Sequence, residues 1–301
     1  MMDDHQATES SVLDRRLWAS AGLNVGITIV EFAGGLWAGS LALLADAAHN
    51  LTDAGALGLA ILARWLGRRA PTPRHTYGLK RTEVVAALLN AAGLIAISAL
   101  IGREAVSRLL HPAPVRAPVM LIAAAVAVAA NVASVLLLRT HRYDDINVRS
   151  AFLHLAQDAL ASLAVLIAAL FARTPWGRYV DPAAAILIGL VVLRSSLSIT
   201  WESLHTLLEA APSGVHVDDI AGEIAGKFDN IRLHHLHVWE VGSGQRVLTA
   251  HMKVGNMNLL EAEAVAAEVR DVLREKWGIT HATLEAETNG CGREHLLGEW
   301  K

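Results

Sequence analysis

Residues 41–63, LALLADAAHNLTDAGALGLAILA, and residues 151–172, AFLHLAQDALASLAVLIAALFA, are two apolar stretches carrying the same short word: His49-Asn50-Leu51-Thr52-Asp53 in the first and His154-Leu155-Ala156-Gln157-Asp158 in the second. Each is long enough to cross a hydrocarbon core about 30 Å thick, which takes ~20 residues of helix. An ionisable side chain there is expensive, about 2.5–3.5 kcal/mol for Asp at the centre of a helix, so these residues need a compensating role. On a helix, positions i and i+4 share a face, and each word therefore presents an imidazole and a carboxylate from adjacent turns. Two such helices facing each other supply two nitrogens and two oxygens. That tetrahedral set suits Zn²⁺ better than Mg²⁺ or Ca²⁺, whose shells are dominated by oxygen. The stretches predict a membrane metal site made of His49, Asp53, His154 and Asp158.

The rest of the 301-residue chain fits around these two helices. It is 53% hydrophobic, with a mean hydropathy of +0.37, yet its last third has an ordinary charge content, so a membrane part followed by a soluble part is the simplest account. Apolar runs of spanning length occur at 17–38, 41–63, 84–102, 118–138, 151–172 and 182–200, which predicts six transmembrane helices. Asp181-Pro182 reads as an N-cap followed by proline at the first position of the sixth. The polar, acidic residues 1–16 lack the apolar region of a cleaved leader, so the first span is expected to act as the insertion signal.

Basic residues accumulate on the cytoplasmic side of membrane proteins. Arg15 and Arg16, then Arg64, Arg68, Arg69, Arg74, Lys80 and Arg81, then Arg139, Arg142 and Arg149 fall on one side; Arg103, Arg108, Arg116, Arg173 and Arg178 fall on the other. Both termini are therefore expected in the cytoplasm. Trp18, Trp37, Trp65, Trp176 and Trp201 flank the spans as an interfacial belt would. A net charge of -3 gives no basic footprint for nucleic acid, and a single cysteine, Cys291, excludes both an intrachain disulfide and a multi-cysteine zinc site.

After Pro212 the pattern changes. Residues 217–228 read as an amphipathic helix, 232–242 and 246–254 as strands joined by a Gly242-Ser243-Gly244 turn, 259–277 as a second helix and 279–287 as a last strand. The order α-β-β-α-β predicts a small α+β domain with helices on one face of a sheet. The expected division is a polar tail at 1–16, a six-helix membrane domain at 17–208, a cytoplasmic domain at 209–290 and a C-terminal tail at 291–301. His234, His235, His237 and His251 crowd onto the first two strands, with Glu285 and Glu287 on the third. Strand alternation puts His235 and His237 on one face and His234 on the other. In the tail, Cys291 and His295 are four apart, a spacing that suits a weak metal pair or a floppy end equally.

HNLTDAGAL in the second span, TYGLKRTEVVAALLNA entering the third, NVRSAFLHLAQDALASLAVL across the fifth, and HHLHVWEV with TAHMKV after the spans together resemble the cation diffusion facilitator family on its zinc-exporting branch, over residues 17–287. The resemblance implies a homodimer of six-helix protomers in the bacterial inner membrane, a metallochaperone-like cytoplasmic domain, and export of Zn²⁺ in exchange for protons. His49, Asp53, His154 and Asp158 fall on the family's transport-site positions, and a His in the second span goes with zinc preference. The family pattern also selects His234, His251 and a carboxylate from Glu285 or Glu287 as cytoplasmic zinc ligands. Some members have a further site in the loop between spans two and three; His75 is present there, but Leu79 stands where a second histidine is expected. The loop between spans four and five lacks a histidine-rich insert, and its His141 reads as a solvated residue.

Three other readings compete. An exporter chiefly of Co²⁺, Cd²⁺ or Ni²⁺ would use the same donors, since affinity order alone does not select the metal. A membrane metal sensor without transport would keep the cytoplasmic site and show no flux. An intramembrane metallohydrolase needs an open coordination position and an activating carboxylate; four protein ligands close the site, so the chain is not read as an enzyme. Outside the two words, Asn24 and Glu31 in span one read as helix-packing residues, and Asp46, placed near the membrane edge, as a group that attracts or relays ions.

Overall fold

In the computed structural model, residues 2–139, 146–242, 244–289 and 295–297 are described. Six long helices come first: α1 (Met2–Ala38), α2 (Leu41–Gly67), α3 (Thr82–Leu110), α4 (Ala117–Leu138), α5 (Ile146–Phe171) and α6 (Gly177–Leu207). They are followed by α7 (Val217–Lys227), β1 (Arg232–Glu240), β2 (Arg246–Lys253), α8 (Leu259–Trp277) and β3 (Ile279–Glu287). The protein is thus a polytopic helical membrane protein with a small C-terminal α+β fold. It divides into two compact units, one comprising Met1–Gly58 and Asn90–Ser198, the other Leu59–Leu89 and Ile199–Lys301.

The first unit is built inside out relative to a water-soluble bundle. Ile122, Leu160, Leu100 and Val191 are each more than 60% exposed, whereas Glu31, Asp46, Asn50, Asn131, Asp158, Ser162 and Asp181 are at most 1% exposed. In a bilayer this is the favourable distribution, because apolar side chains meet lipid and polar ones find partners inside. Among the described residues, Thr82–Leu110, Ala117–Leu137, Phe152–Phe171 and Gly177–Leu207 are long and apolar enough to cross a membrane, and Gly22–Ala38 is a shorter apolar helix. Lipid tails are as apolar as leucine, so helices here associate by close packing of small residues. The unit's core follows that rule, with Ala42, Ala45, Ala105, Ala123, Ala124, Ala168, Ala169 and Ala185 among its buried members. At Gly34 on α1 a Cβ would stand 2.6 Å from Ala123 Cβ on α4, so only glycine permits this approach.

The turn between α1 and α2 is tightly held. Gly39 takes φ +70°, and its carbonyl accepts a 2.5 Å hydrogen bond from Arg108 Nη1 of α3. Ser40 Oγ accepts from Leu43 N at 3.2 Å, capping α2. Asp181 departs from the expected role. Helix α6 begins at Gly177 with Pro182 inside it, so Asp181 does not cap its own helix. Its carboxylate instead accepts from Ser40 Oγ (2.5 Å), Leu41 N (2.9 Å) and Ala42 N (3.3 Å) at the start of α2. Those amides have no partner within their own helix, and an anion at a helix N-terminus also meets the positive end of its dipole.

In the second unit, a three-stranded sheet has the order β1-β2-β3, with β1 and β2 antiparallel and β2 and β3 parallel. The parallel pair needs a crossover, which α8 supplies. Ile220 and Ile224 of α7 and Val269, Val272 and Leu273 of α8 share one core with Leu233, Leu236, Leu248, Met252 and Ile279 of the sheet. Helix α8 has a capping box between Asn258 and Glu261 and ends on Gly278 in the left-handed conformation.

Candidate metal centres

The His/Asp words meet within the first unit. His154 Nε2 lies 3.4 Å from Asp53 Oδ2 and 3.7 Å from Asp158 Oδ2; His49 Nε2 lies 3.6 Å from Asp53 Oδ2 and 3.9 Å from Asp158 Oδ1. In a tetrahedral zinc site with bonds of about 2.0–2.1 Å, neighbouring donors are roughly 3.3–3.4 Å apart. The nitrogen–oxygen edges therefore match, or slightly exceed, those a bound ion would impose, but no three of the four donors, all on described residues, lie within 4.8 Å of one another, so the quartet is spread wider than a tetrahedron between its two nitrogens and between its two carboxylates. The rings stand 6.3 Å apart, edge to face, where two imidazoles on one tetrahedral zinc would have centroids roughly 5 Å apart. The quartet is open, and an ion would draw α2 and α5 together.

Access is uneven. The Asp158 side chain is fully buried, while that of His154 is 43% exposed, so the quartet is reached from the His154 side. Both Asp158 oxygens, Asp53 Oδ2 and His49 Nδ1 are buried without a hydrogen-bond partner among the described residues. Buried polar groups are normally paired. The three orphaned carboxylate oxygens, all turned towards the imidazole Nε2 atoms, are what a site for a cation requires.

Beside the quartet lies a polar network that the sequence discloses only in part. Asn50 Nδ2 donates to Glu31 Oε2 at 2.9 Å. Ser162 Oγ lies 2.9 Å from Asp46 Oδ2 and 3.3 Å from Glu31 Oε1, and accepts from Asn131 Nδ2 at 2.9 Å. Glu31 does join helices, as expected, and Asp46, expected to attract or relay ions, is 0% exposed inside the helix bundle. Asn131 and Ser162 are the members that sequence reasoning misses. The available signal is Asn131 as a lone amide in an apolar run, and Ser162 one turn after Asp158 on the same helix face.

In the second unit, adjacent register positions bring His234, His251 and Glu285 side by side across the three strands, with Glu287 two residues further along β3. Glu287 Oε2 is 3.2 Å from His234 Nε2, and Glu287 Oε1 is 2.6 Å from His251 Nδ1. Glu285 Oε2 is 3.6 Å from His251 Nε2. His234, His251 and Glu287 offer donors all within 4.8 Å of one another, close enough to share an ion. Glu285, at 69% side-chain exposure, stands at the rim.

Strict alternation fails at His235. A register shift between His234 and His237 leaves His235 at φ +47°, a rare conformation for a residue with a Cβ. The bulge turns its ring towards the others, 5.7 Å from His234 and 4.9 Å from His251. A bulge carries an extra residue that pairing does not count, which is why period-two reading misplaces it. His235 N and Leu236 N at this bulge donate to His295 O and Leu296 O, and Leu296 packs against the core, so this part of the C-terminal segment is docked rather than floppy. Cys291 and His141 lie outside the described residues. His75 sits exposed in a tight turn with Thr72, the two exchanging backbone hydrogen bonds of 3.0 Å, and belongs to no donor cluster among the described residues.

Two family models match the chain: the cation efflux transmembrane domain over residues 17–208 and the cation efflux protein cytoplasmic domain over residues 212–289. The chain belongs to the cation diffusion facilitator family. Among the relatives of this cation-efflux chain, the zinc transporter ZitB of Escherichia coli is 37% identical over 297 residues, covering 97% of this chain and 94% of its own. ZitB of Yersinia pestis is 37% identical over 280 residues, covering 92% and 89%. A Bacillus subtilis protein called a cadmium, cobalt and zinc/H(+)-K(+) antiporter is 35% identical over 276 residues, covering 90% and 88%. The family consists of transporters, not enzymes.

Proposed function

We propose that the protein exports Zn²⁺ from the cytoplasm in exchange for protons, with His49, Asp53, His154 and Asp158 as the transport site. The observation that carries this is the meeting of two imidazoles and two carboxylates, with nitrogen–oxygen separations of 3.4–3.9 Å, inside a membrane helix bundle. Protons and zinc compete for the same lone pairs, so loading releases protons and protonation from the far side expels the ion. Because α2 and α5 each contribute one His and one Asp, and the two rings stand about an ångström farther apart than they would on a shared ion, binding gives the ion a means to favour one arrangement of the two helices. The relatives' names support zinc as the cargo and protons as the exchanged ion. Zinc flux into everted vesicles or proteoliposomes under an imposed pH gradient tests this. Flux that ignores the gradient removes the coupling, and binding without flux favours the sensor reading.

The metal preference has its own test. His49→Asp replaces an imidazole by a harder, more flexible oxygen ligand, so it should widen selectivity towards Cd²⁺ or Mn²⁺. Competition of each metal against zinc uptake measures this, and an unchanged profile would count against the assignment of His49.

The C-terminal unit is the proposed cytoplasmic domain, serving dimerisation and holding regulatory zinc on His234, His251 and Glu287, with Glu285 at the rim; both termini then face the cytoplasm of a bacterial inner-membrane protein. His234→Ala combined with His251→Ala removes both imidazoles that Glu287 joins and leaves only carboxylates and His235 in this cluster. Placed on an Asp158→Ala background of the full chain, the pair should abolish zinc-induced stabilisation in thermal unfolding. Stabilisation equal to the Asp158→Ala parent would return these histidines to an ordinary surface role.

A further inference from the structure

Glu31 and Asp46 are two carboxyl groups in one sealed place. Both are 0% exposed, and both converge on Ser162 Oγ, Asp46 Oδ2 at 2.9 Å and Glu31 Oε1 at 3.3 Å. The surrounding donors are too few for two anions. Asn50 supplies one N–H, to Glu31, and the Ser162 hydroxyl has one hydrogen to give to either acid. Asp46 Oδ1 has no partner among the described residues. Nor is there a fixed cation: residues 19–38, 41–63, 117–138 and 152–171 contain no lysine or arginine. The titratable groups facing the pair are His49 on α2 and Asp158 on α5, both within Coulombic range of Asp46; α4 contributes the neutral Asn131.

Ionised carboxylates only accept hydrogen bonds, so two of them converging on one hydroxyl compete for its single hydrogen, and two neighbouring buried negative charges without a counter-ion are strongly disfavoured. We infer that Glu31 and Asp46 form a proton-binding site separate from the four transport ligands, holding one shared proton that is exchanged for the transported ion. The inference rests on the reading of His49, Asp53, His154 and Asp158 as the transport site. Its physical link to that site is short. Asp46 precedes His49 by three residues on α2, and Asn50, which holds Glu31, follows His49 directly. A divalent ion in the quartet brings two positive charges near the pair and drives its proton off to solvent, leaving both carboxylates ionised beside the bound cation. Removing the ion restores the excess negative charge and draws a proton back from solvent. Charge is thereby balanced at each stage by one proton more than the transport ligands release.

The test uses the full chain in nanodiscs, titrated with zinc in weak buffer while a pH indicator counts protons released per ion bound. Glu31→Gln keeps the shape and can donate an N–H where the protonated acid would donate its O–H, but cannot release a proton. It should bind zinc and release one proton fewer per ion, and its apparent affinity should change tenfold less per pH unit. Asp46→Asn should do the same, and the double variant should lose no more than one proton, because the proton is shared. Zinc binding by Glu31→Gln and Asp46→Asn with the parent proton count would overturn the inference and leave the transport site standing. Loss of two protons in the double variant would replace the shared proton by two separate ones. A parent whose membrane zinc binding is insensitive to Asp158→Ala would instead sink the transport-site reading. Should Glu31→Gln fail to fold, Asp46→Asn alone decides.

Discussion

Asp158→Ala should reduce zinc flux at least about 100-fold, since it removes an anionic ligand, and loss of mere supporting groups around metal ligands already costs 10–100-fold. The quartet has no spare donor to replace it. The stability effect should run the other way. Both Asp158 oxygens are buried without a hydrogen-bond partner among the described residues, so in the metal-free protein this carboxylate is a cost the fold carries for the sake of its ligand. Metal-free Asp158→Ala should therefore unfold at the same temperature as the parent or higher, while losing the membrane site's share of zinc-induced stabilisation. Asp53→Ala should likewise abolish flux. Flux close to the parent's in both variants removes the central claim; lost flux together with a lower unfolding temperature would mean that the carboxylate holds the bundle together rather than the ion.

Asp181→Ala should have the largest effect on stability, with no ligand role involved. The change strands Ser40 Oγ and the amides of Leu41 and Ala42, all buried. Leaving buried donors unsatisfied costs about 1–3 kcal/mol each, more where the partner was charged, so a loss of about 3 kcal/mol or greater is expected. Asp181→Asn keeps an acceptor oxygen and should fall between. Thermal unfolding in detergent, followed by retention of the monodisperse species on size exclusion, measures this. Because α2 carries His49 and Asp53, zinc affinity should weaken as well, through the placement of that helix. An unfolding temperature equal to the parent's would show that the start of α2 is held by something else.

What the sequence by itself determined is whatever a local period can express. Apolar run length predicted six spans, and six long helices are present. The i, i+4 spacing determined that each word shares a helix face, and two equal words on two spans predicted that they meet. In the C-terminal unit, local patterning predicted helix, strand, strand, helix and strand over 217–228, 232–242, 246–254, 259–277 and 279–287, and α7, β1, β2, α8 and β3 follow in that order.

Only the tertiary structure decided the rest, because the partners are far apart along the chain and their faces are set by packing. Ser162 meets Glu31 across 131 positions and Asp46 across 116, which turns two isolated acids in apolar helices into one pair. Asp181 reads locally as a cap for its own helix, yet serves α2 from 140 positions away, because α6 had already begun at Gly177 and left the carboxylate free. His235 obeys period two on paper; one bulge, held by backbone bonds to His295 and Leu296, moves it beside His234 and His251. Periodicity tells which residues share a face of one element. Which faces meet, and where a strand takes an extra residue, depends on long-range contacts whose free energy no local window of sequence contains.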